Sequence, residues 1–209
     1  KKHKKDGKNE AEKSAILHSA SVGINSDETF HSATLDFKQI QGTPIAYWLS
    51  PALKRTFANG KLLSESFNPV VGLQTGDNDR FLRFWSEVSV EKIGFGFEST
   101  DQTKESTERW FPYNKGGDAR RWFGNAELVV NWEDDGIEIK NNFNSNGKLR
   151  SRPQNTKFYF KEAVTWADIT TNFFAARYSP QGFIFDVKGS SGFPIEQDIE
   201  IPLALLNSA

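Results

Sequence analysis

The sequence predicts an α+β fold that is mostly β, with a few short helices. Three observations lead there. Beyond residue 60, short runs rich in β-branched and aromatic residues recur, each closed by Gly, Asn, Asp or Pro. The best-punctuated helical pattern, after Ser50-Pro51, is brief. No internal repeat of fixed period is present, which sets aside solenoids and propellers.

The chain has 209 residues, enough to bury a substantial single core. With 37% hydrophobic and 25% charged residues it reads as a soluble globular protein. No apolar run approaches the roughly 20 residues that cross a bilayer, and no signal peptide is visible, so a cytoplasmic address without membrane contact is expected. The absence of cysteine removes disulfides, thiolate nucleophiles and thiolate zinc sites together. The histidines are His3, His18 and His31, so histidine catalysis is not expected in the folded body.

Residues 1–30 read as a charged linker or a helix end from a preceding domain, and residues 31–209 as the folded domain. Both ends read as cut, since the chain opens in a lysine-rich segment and stops just after an apolar run that contains Pro202. Pro202 would kink a continuing helix or mark the first turn of a new one. Thr34 to Lys38 is expected to be a strand. A helix comes next, with Ser50 as N-cap, Pro51 in the first turn, Leu53 and Phe57 one turn apart, and Gly60 as terminator. Val70 to Leu73 reads as a strand entering a Gly-Asp-Asn turn that would project Asp77, Asn78 and Arg80 outward together. Phe81 to Val90 is expected as another strand and residues 99–108 as a mobile loop. Glu127 to Lys140, with Asp135-Gly136 at its bend, spells a hairpin. Asn141 to Asn155, carrying Lys148, Arg150 and Arg152, reads as a flexible basic loop, either a second backbone clamp on nucleic acid or a solvated connector. Strands are expected over Lys157–Phe160, Val164–Thr170 and Gly182–Val187, then a Gly-Ser-Ser-Gly loop at 189–192 and a final helix.

The stretch Trp110 to Gly124 interleaves aromatic and cationic residues around Gly116-Gly117. Lys115, Arg120 and Arg121, with Arg109, set four cations against the single Asp118, in a chain of formal net charge −1. Gly116 and Gly117 can turn sharply and bring backbone N–H groups close to a phosphate oxygen. This reads as a nucleic-acid contact loop. The alternative is a surface loop whose Trp110, Tyr113, Trp122 and Phe123 pack inward.

Catalytic motifs are poorly matched. Asn68-Pro69-Val70-Val71 lacks the second proline and the aromatic ring of a base-holding tetrad, and Gly94-Phe95-Gly96 has no convincing strand before it to make a cofactor loop. Glu138-Ile139-Lys140 supplies half of a metal-nuclease pattern, but its partner Asp135 sits just ahead of it across a tight turn.

Several stretches, taken as a set, resemble the C-terminal part of the PglX family, the adenine-specific DNA methyltransferases of BREX phage-defence systems. They are Gly42 to Trp48, Gly72 to Arg83, Trp110 to Gly117 with Arg121 to Gly124, Val129 to Trp132, Thr165-Trp166, Ala176-Arg177-Tyr178 and Leu205 to Ser208. The likeness runs in order from about Phe37 onward, and Pro202 departs from it. The resemblance implies a target-recognition-domain fold with twisted antiparallel sheets over 31–209, no cofactor in this segment, and S-adenosylmethionine bound elsewhere in the parent protein. It implies double-stranded DNA as partner and allows contacts with other BREX proteins. Lys115, Arg120 and Arg121 become phosphate contacts beside Gly116 and Gly117, while Asn114, Asp77, Asn78 and Arg80 become hydrogen-bonding contacts to bases or backbone. Asp77 and Asn78 also suit plain turn chemistry. Two other classes suit the same residues, namely a carbohydrate-binding β module and a protein-interaction surface.

Overall fold

The computed structural model describes residues 9–21, 33–38, 40, 42–170 and 173–208. The chain forms two compact units, Lys1–Lys61 and Leu62–Ala209.

In the first unit, α1 (Glu10–Ser21) opens with reciprocal caps: the Glu12 amide donates to Asn9 Oδ1 at 2.9 Å, and the Asn9 amide to Glu12 Oε2 at 3.2 Å. The remainder of the charged 1–30 segment, with His3, lies outside the described residues, as does His31. Thr34 to Phe37 is a helical turn, α2, and not the expected strand. Its backbone bonds are local, with the Lys38 amide on Leu35 O at 3.2 Å. The next helix, α3 (Pro51–Asn59), matches its sequence signals: Ser50 Oγ accepts from the Leu53 amide and the Gly60 amide donates to Thr56 O at 2.8 Å. A Cβ on Gly60 would stand 2.6 Å from that same oxygen, which explains the glycine. Leu53 and Phe57 are both exposed.

The second unit is α+β and mostly sheet. One sheet has the order β1-β8-β5-β6, from Phe67–Val70, Ser191–Pro194, Ala163–Trp166 and Ala176–Ser179, antiparallel throughout. The other has the order β2-β4-β3-β7, from Leu82–Phe84, Leu128–Asn131, Trp110–Asn114 and Ile184–Phe185, with β3 and β7 parallel. A shared core of Leu73, Phe81, Phe111, Tyr113, Trp132, Tyr159, Phe160, Phe185 and Phe193 draws on both sheets. Edge-to-face rings, such as Trp132 on Tyr159 at 5.3 Å, fill it. Asn78–Phe81 (α4) precedes β2, and α6 (Glu200–Asn207) carries Pro202 in its first turn, where a missing N–H costs nothing.

Several expected elements differ. Glu133–Lys140 is not the return strand of a hairpin but a helical segment, α5. Asp134, Asp135 and Gly136 do take positive φ, as an Asp-Gly bend requires. A returning strand would nonetheless need an edge of β4, and β2 and β3 occupy both. The strand from Phe81 ends at Phe84, because Glu87 accepts the Phe84 amide at 2.7 Å and turns Trp85–Glu87 into a 3₁₀ helix. Thr156–Phe158 is likewise 3₁₀. Ser191 and Gly192 are strand, not loop; Gly192 is required because the Phe67 ring lies 2.0 Å from where its Cβ would be. The 99–108 segment is pinned through buried Thr103, whose hydroxyl accepts from the Asp135 amide at 3.1 Å.

Candidate nucleic-acid interface

The turn after β1 is built by small and polar residues. Leu73 bridges Asp186 just beyond β7, and a Cβ on Gly72 would sit 1.9 Å from Phe185 O, so only glycine admits this approach. Gly76, at φ 71°, passes close to Arg150 O. Asp77 caps α4 by accepting from the Arg80 amide at 3.1 Å, and its other oxygen meets Arg150 Nη1 at 3.3 Å. Asn78 Oδ1 accepts from the Thr75 hydroxyl at 2.6 Å. The Thr75 carbonyl in turn accepts from buried Ser151 and Asn142, and Gln74 pairs with Arg152. These bonds fasten the turn to the basic 141–155 segment.

Three adjoining cavities result from this arrangement. One of about 300 Å³ is lined by Gln74 to Asn78, Lys115 and Asp186 to Lys188. It shares Asn78 and Lys115 with a second of about 360 Å³ that reaches Arg83 and Glu87. It shares Gln74 and Gly76 with a third of about 720 Å³, bordered by Lys148, Arg150 and Arg152. Together they form a trough with six cationic side chains: Arg83, Lys115, Lys148, Arg150, Arg152 and Lys188. Three of its four carboxylates are engaged inside the protein. Asp77 and Glu87 cap backbone amides, and Asp186 accepts from Tyr113 and the Lys188 amide. Burial raises the Asp186 carboxyl above its ordinary pKa, while the Tyr113 hydroxyl, the Lys188 amide and the nearby Lys115 charge pull it back.

The residues singled out in sequence divide among several places. Lys115 lies in the trough, as do Asp77 and Asn78, both already bound up in turn chemistry. Arg80 points elsewhere, to Glu138 at 3.2 Å, so the turn does not present Asp77, Asn78 and Arg80 as one group. Asn114 is 4% exposed and donates to Ser179 Oγ at 2.6 Å, an internal bond that takes it off the surface. Gly116 is buried, its missing Cβ taken up by Lys188 O, and its carbonyl accepts from Asn125 at 2.8 Å. Gly117 is exposed at φ 96°. Arg120 and Arg121 are exposed, Arg121 lying 5.0 Å above the Phe173 ring. The four aromatics part company: Tyr113 is core, Trp110 is half-buried, and Trp122 and Phe123 face solvent. Lys188 carries no signal in the sequence, and Gln74 and Arg83, though inside the PglX-like Gly72 to Arg83 stretch, are not marked there as contacts, because no local pattern shows that their segments converge.

The carboxylates of the nuclease-like pattern are held by cations. Asp135 meets Lys140 at 2.8 Å and Glu138 meets Arg109 at 3.0 Å.

No family model matches the chain. It is 41% identical over 187 residues to the adenine-specific methyltransferase PglX of Lacticaseibacillus casei (strain Zhang), covering 88% of this chain and 15% of that protein. It is also 41% identical over 177 residues to the adenine-specific methyltransferase BrxX of Escherichia coli O9:H4 (strain HS), covering 83% of this chain and 13% of that protein. Over these spans the chain is similar to the PglX-type methyltransferases. It spans under a sixth of the length of either relative.

The stretches that carry the PglX likeness have structural work to do. Gln74 to Asn78 makes one wall of the trough, and Trp110 to Asn114 is β3. Leu205 to Ser208 closes α6, where the Asn207 side chain clamps β6: it donates to Ala176 O at 2.9 Å and accepts from the Ala176 amide at 3.0 Å. That clamp joins two of the PglX-like stretches, Ala176-Arg177-Tyr178 and the Leu-Leu-Asn-Ser run.

Proposed function

We propose that this chain is the DNA target-recognition region of an adenine-N6 DNA methyltransferase of a BREX-type phage-defence system, with residues 31–209 as the recognition domain and the reaction carried out by another part of the parent protein. The observation that carries this reading is the cationic trough, whose wall is made from PglX-like sequence and whose carboxylates are largely spent on internal bonds. Phosphates hold a duplex in register while polar side chains meet base edges. Here Lys115, Lys188, Arg150 and Arg152 would take phosphates along the trough, Arg120, Arg121 and the Gly117 backbone would extend that grip, and Gln74 and Asn78 are placed for hydrogen bonds.

S-adenosylmethionine would be the methyl donor of the parent protein, and the Gly94-Phe95-Gly96 segment does not have the form of a cofactor loop. Gly94 is a packing glycine, its absent Cβ 2.4 Å from the Phe111 ring, and the segment after Gly96 leads to a 3₁₀ turn instead of a helix N-terminus. Among the described residues no helix is long and apolar enough to cross a membrane, and a cytoplasmic setting with DNA as partner accords with the proposal.

The test is equilibrium binding of the purified chain to duplex DNA across salt concentrations. With about four to six phosphate contacts, log affinity falls against log salt with a slope of about −3.6 to −5.4. Salt-independent binding to oligosaccharides, or no duplex binding at all, would overturn the reading in favour of a sugar-binding module or a protein-interaction surface.

A further inference from the structure

Trp122 has φ 73°, a left-handed conformation that is costly for any residue with a branched or bulky side chain. Two hydrogen bonds hold it there. Its amide donates to Ala176 O at 3.0 Å and its carbonyl accepts from the Tyr178 amide at 2.8 Å, so it caps the free edge of β6. This strained backbone yields no burial, since the Trp122 ring is 53% exposed and Phe123 beside it 61%. A chain that buries Phe111, Tyr113, Trp132 and Phe160 completely leaves these two rings in water.

Charge indicates what covers them. Arg120 and Arg121 precede the rings and are exposed. Arg177, paired with Trp122 across the bridge, is 1% exposed, and its Nε and Nη1 have no hydrogen-bond partner. Its remaining nitrogen reaches Gly116 O at 3.4 Å. Burial first, and then the like charge of Arg120, lowers the Arg177 pKa, with Glu127 opposing. A buried cation, Arg177, is thus held within the field of Arg120 on the strand that Trp122 borders. A nucleotide unit answers both features, offering an anion to the exposed Arg120 and Arg121 and a flat π-face to the indole.

We propose that Trp122 and Phe123 form a stacking shelf for a base that has left the helical stack of bound DNA. The inference rests on the DNA-recognition reading above and adds a second contact mode to it. The trough takes the regular backbone, whereas the shelf takes an unstacked base. Enzymes that modify a base must withdraw it from the duplex, and an aromatic surface stabilises a base so displaced.

The experiment compares two probes on the purified chain: a fully paired duplex, and the same duplex with one adenine opposite an abasic site. A second pair carries 2-aminopurine at that adenine, so that stacking is read as fluorescence quenching. The chain is expected to bind the unpaired-adenine duplex at least about tenfold more tightly, in the range of one base–aromatic stack. Trp122→Gly and Phe123→Ala should erase the preference and the quenching, and Trp122→Phe should retain part of both, all three with the salt slope on paired DNA unchanged. Trp122→Gly also relieves the left-handed strain, so its loss of preference should come without loss of thermal stability; Phe123→Ala and the quenching in the unsubstituted chain decide the matter if the glycine variant fails to fold. Equal affinity for both probes, a preference that survives in these variants, or displacement of DNA by oligosaccharide would overturn the shelf while paired-duplex binding upheld the parent reading. Absence of binding to either DNA would overturn both.

Discussion

Tyr113 donates its hydroxyl to Asp186 Oδ2 at 2.6 Å, joining β3 to the residue that succeeds β7 and bridges Leu73. The Leu73 carbonyl lies 3.1 Å from the same hydroxyl. A fully buried phenol therefore supports the Lys115 segment, the 186–188 segment and the turn wall together. Tyr113→Phe keeps the ring and deletes the donor, leaving a buried carboxylate short of one partner. The expected loss is about 1–3 kcal/mol in urea unfolding, with little change in m. A neutral result would show that the trough floor stands on packing alone.

The same burial predicts the behaviour at high pH. Tyr113 is raised well above its ordinary value by desolvation and then by the Asp186 charge, and Tyr159 is raised chiefly by desolvation. An acid whose folded pKa lies above its unfolded pKa stabilises the fold fully below the unfolded value, near 10.0, and loses that contribution as pH climbs toward the folded one. Ultraviolet titration should therefore show Tyr113 and Tyr159 ionising only as the chain unfolds cooperatively. Tyr113→Phe should shrink that cooperative step; gradual ionisation of all four tyrosines before unfolding would contradict it.

Local chemistry is legible in the sequence where it decides the structure by itself. Ser50-Pro51 and Gly60 bound a helix because capping is a matter between near neighbours. Asp135-Gly136 indicates the right torsions and the wrong element, since the chain can leave a bend as a strand only where a sheet edge is free, and β4 has none. The fold class is legible because the strand-forming runs outnumber such misleading segments. The aromatic-basic stretch reads as one loop, but its register in β3 sends Tyr113 and Asn114 inward, and the bridge to Arg177 sends Trp122 outward. Pairing across dozens of residues makes that division, and neither composition nor spacing records it. Lys188 and Arg83 are hidden for the same reason.

Position along the trough, not charge alone, should determine which cations matter for DNA. Lys188 and Arg152 border the cavities, whereas Arg80 is drawn to Glu138 and Phe81. Lys188→Ala and Arg152→Ala should each reduce the steepness of the salt dependence by about 0.9, the share of one phosphate contact. Arg80→Ala should leave the slope alone. Fluorescence anisotropy over a salt series makes the comparison, and an equal effect from all three would mean that the chain responds only to its total charge.

Gly76 joins the integrity of the turn to the shape of the trough. At φ 71° it holds a conformation that a Cβ disfavours by about 1–2 kcal/mol, and the added carbon would also lie 2.5 Å from Arg150 O. Backbone cannot yield as a flexible side chain does, so the 141–155 segment must move away. That shift would break the Gln74 amide bond to Arg152 O, now 3.1 Å, and the Ser151 bond to Thr75. Gly76→Ala should therefore cost more than about 2 kcal/mol of stability, by strain and lost hydrogen bonds together. Amide hydrogen exchange should accelerate at Gln74 and Arg152 before it does in β3 and β4, and duplex affinity should fall even where the fold is intact. Unchanged exchange at those two amides would mean that the close approach of the turn to Arg150 can relax without opening the trough.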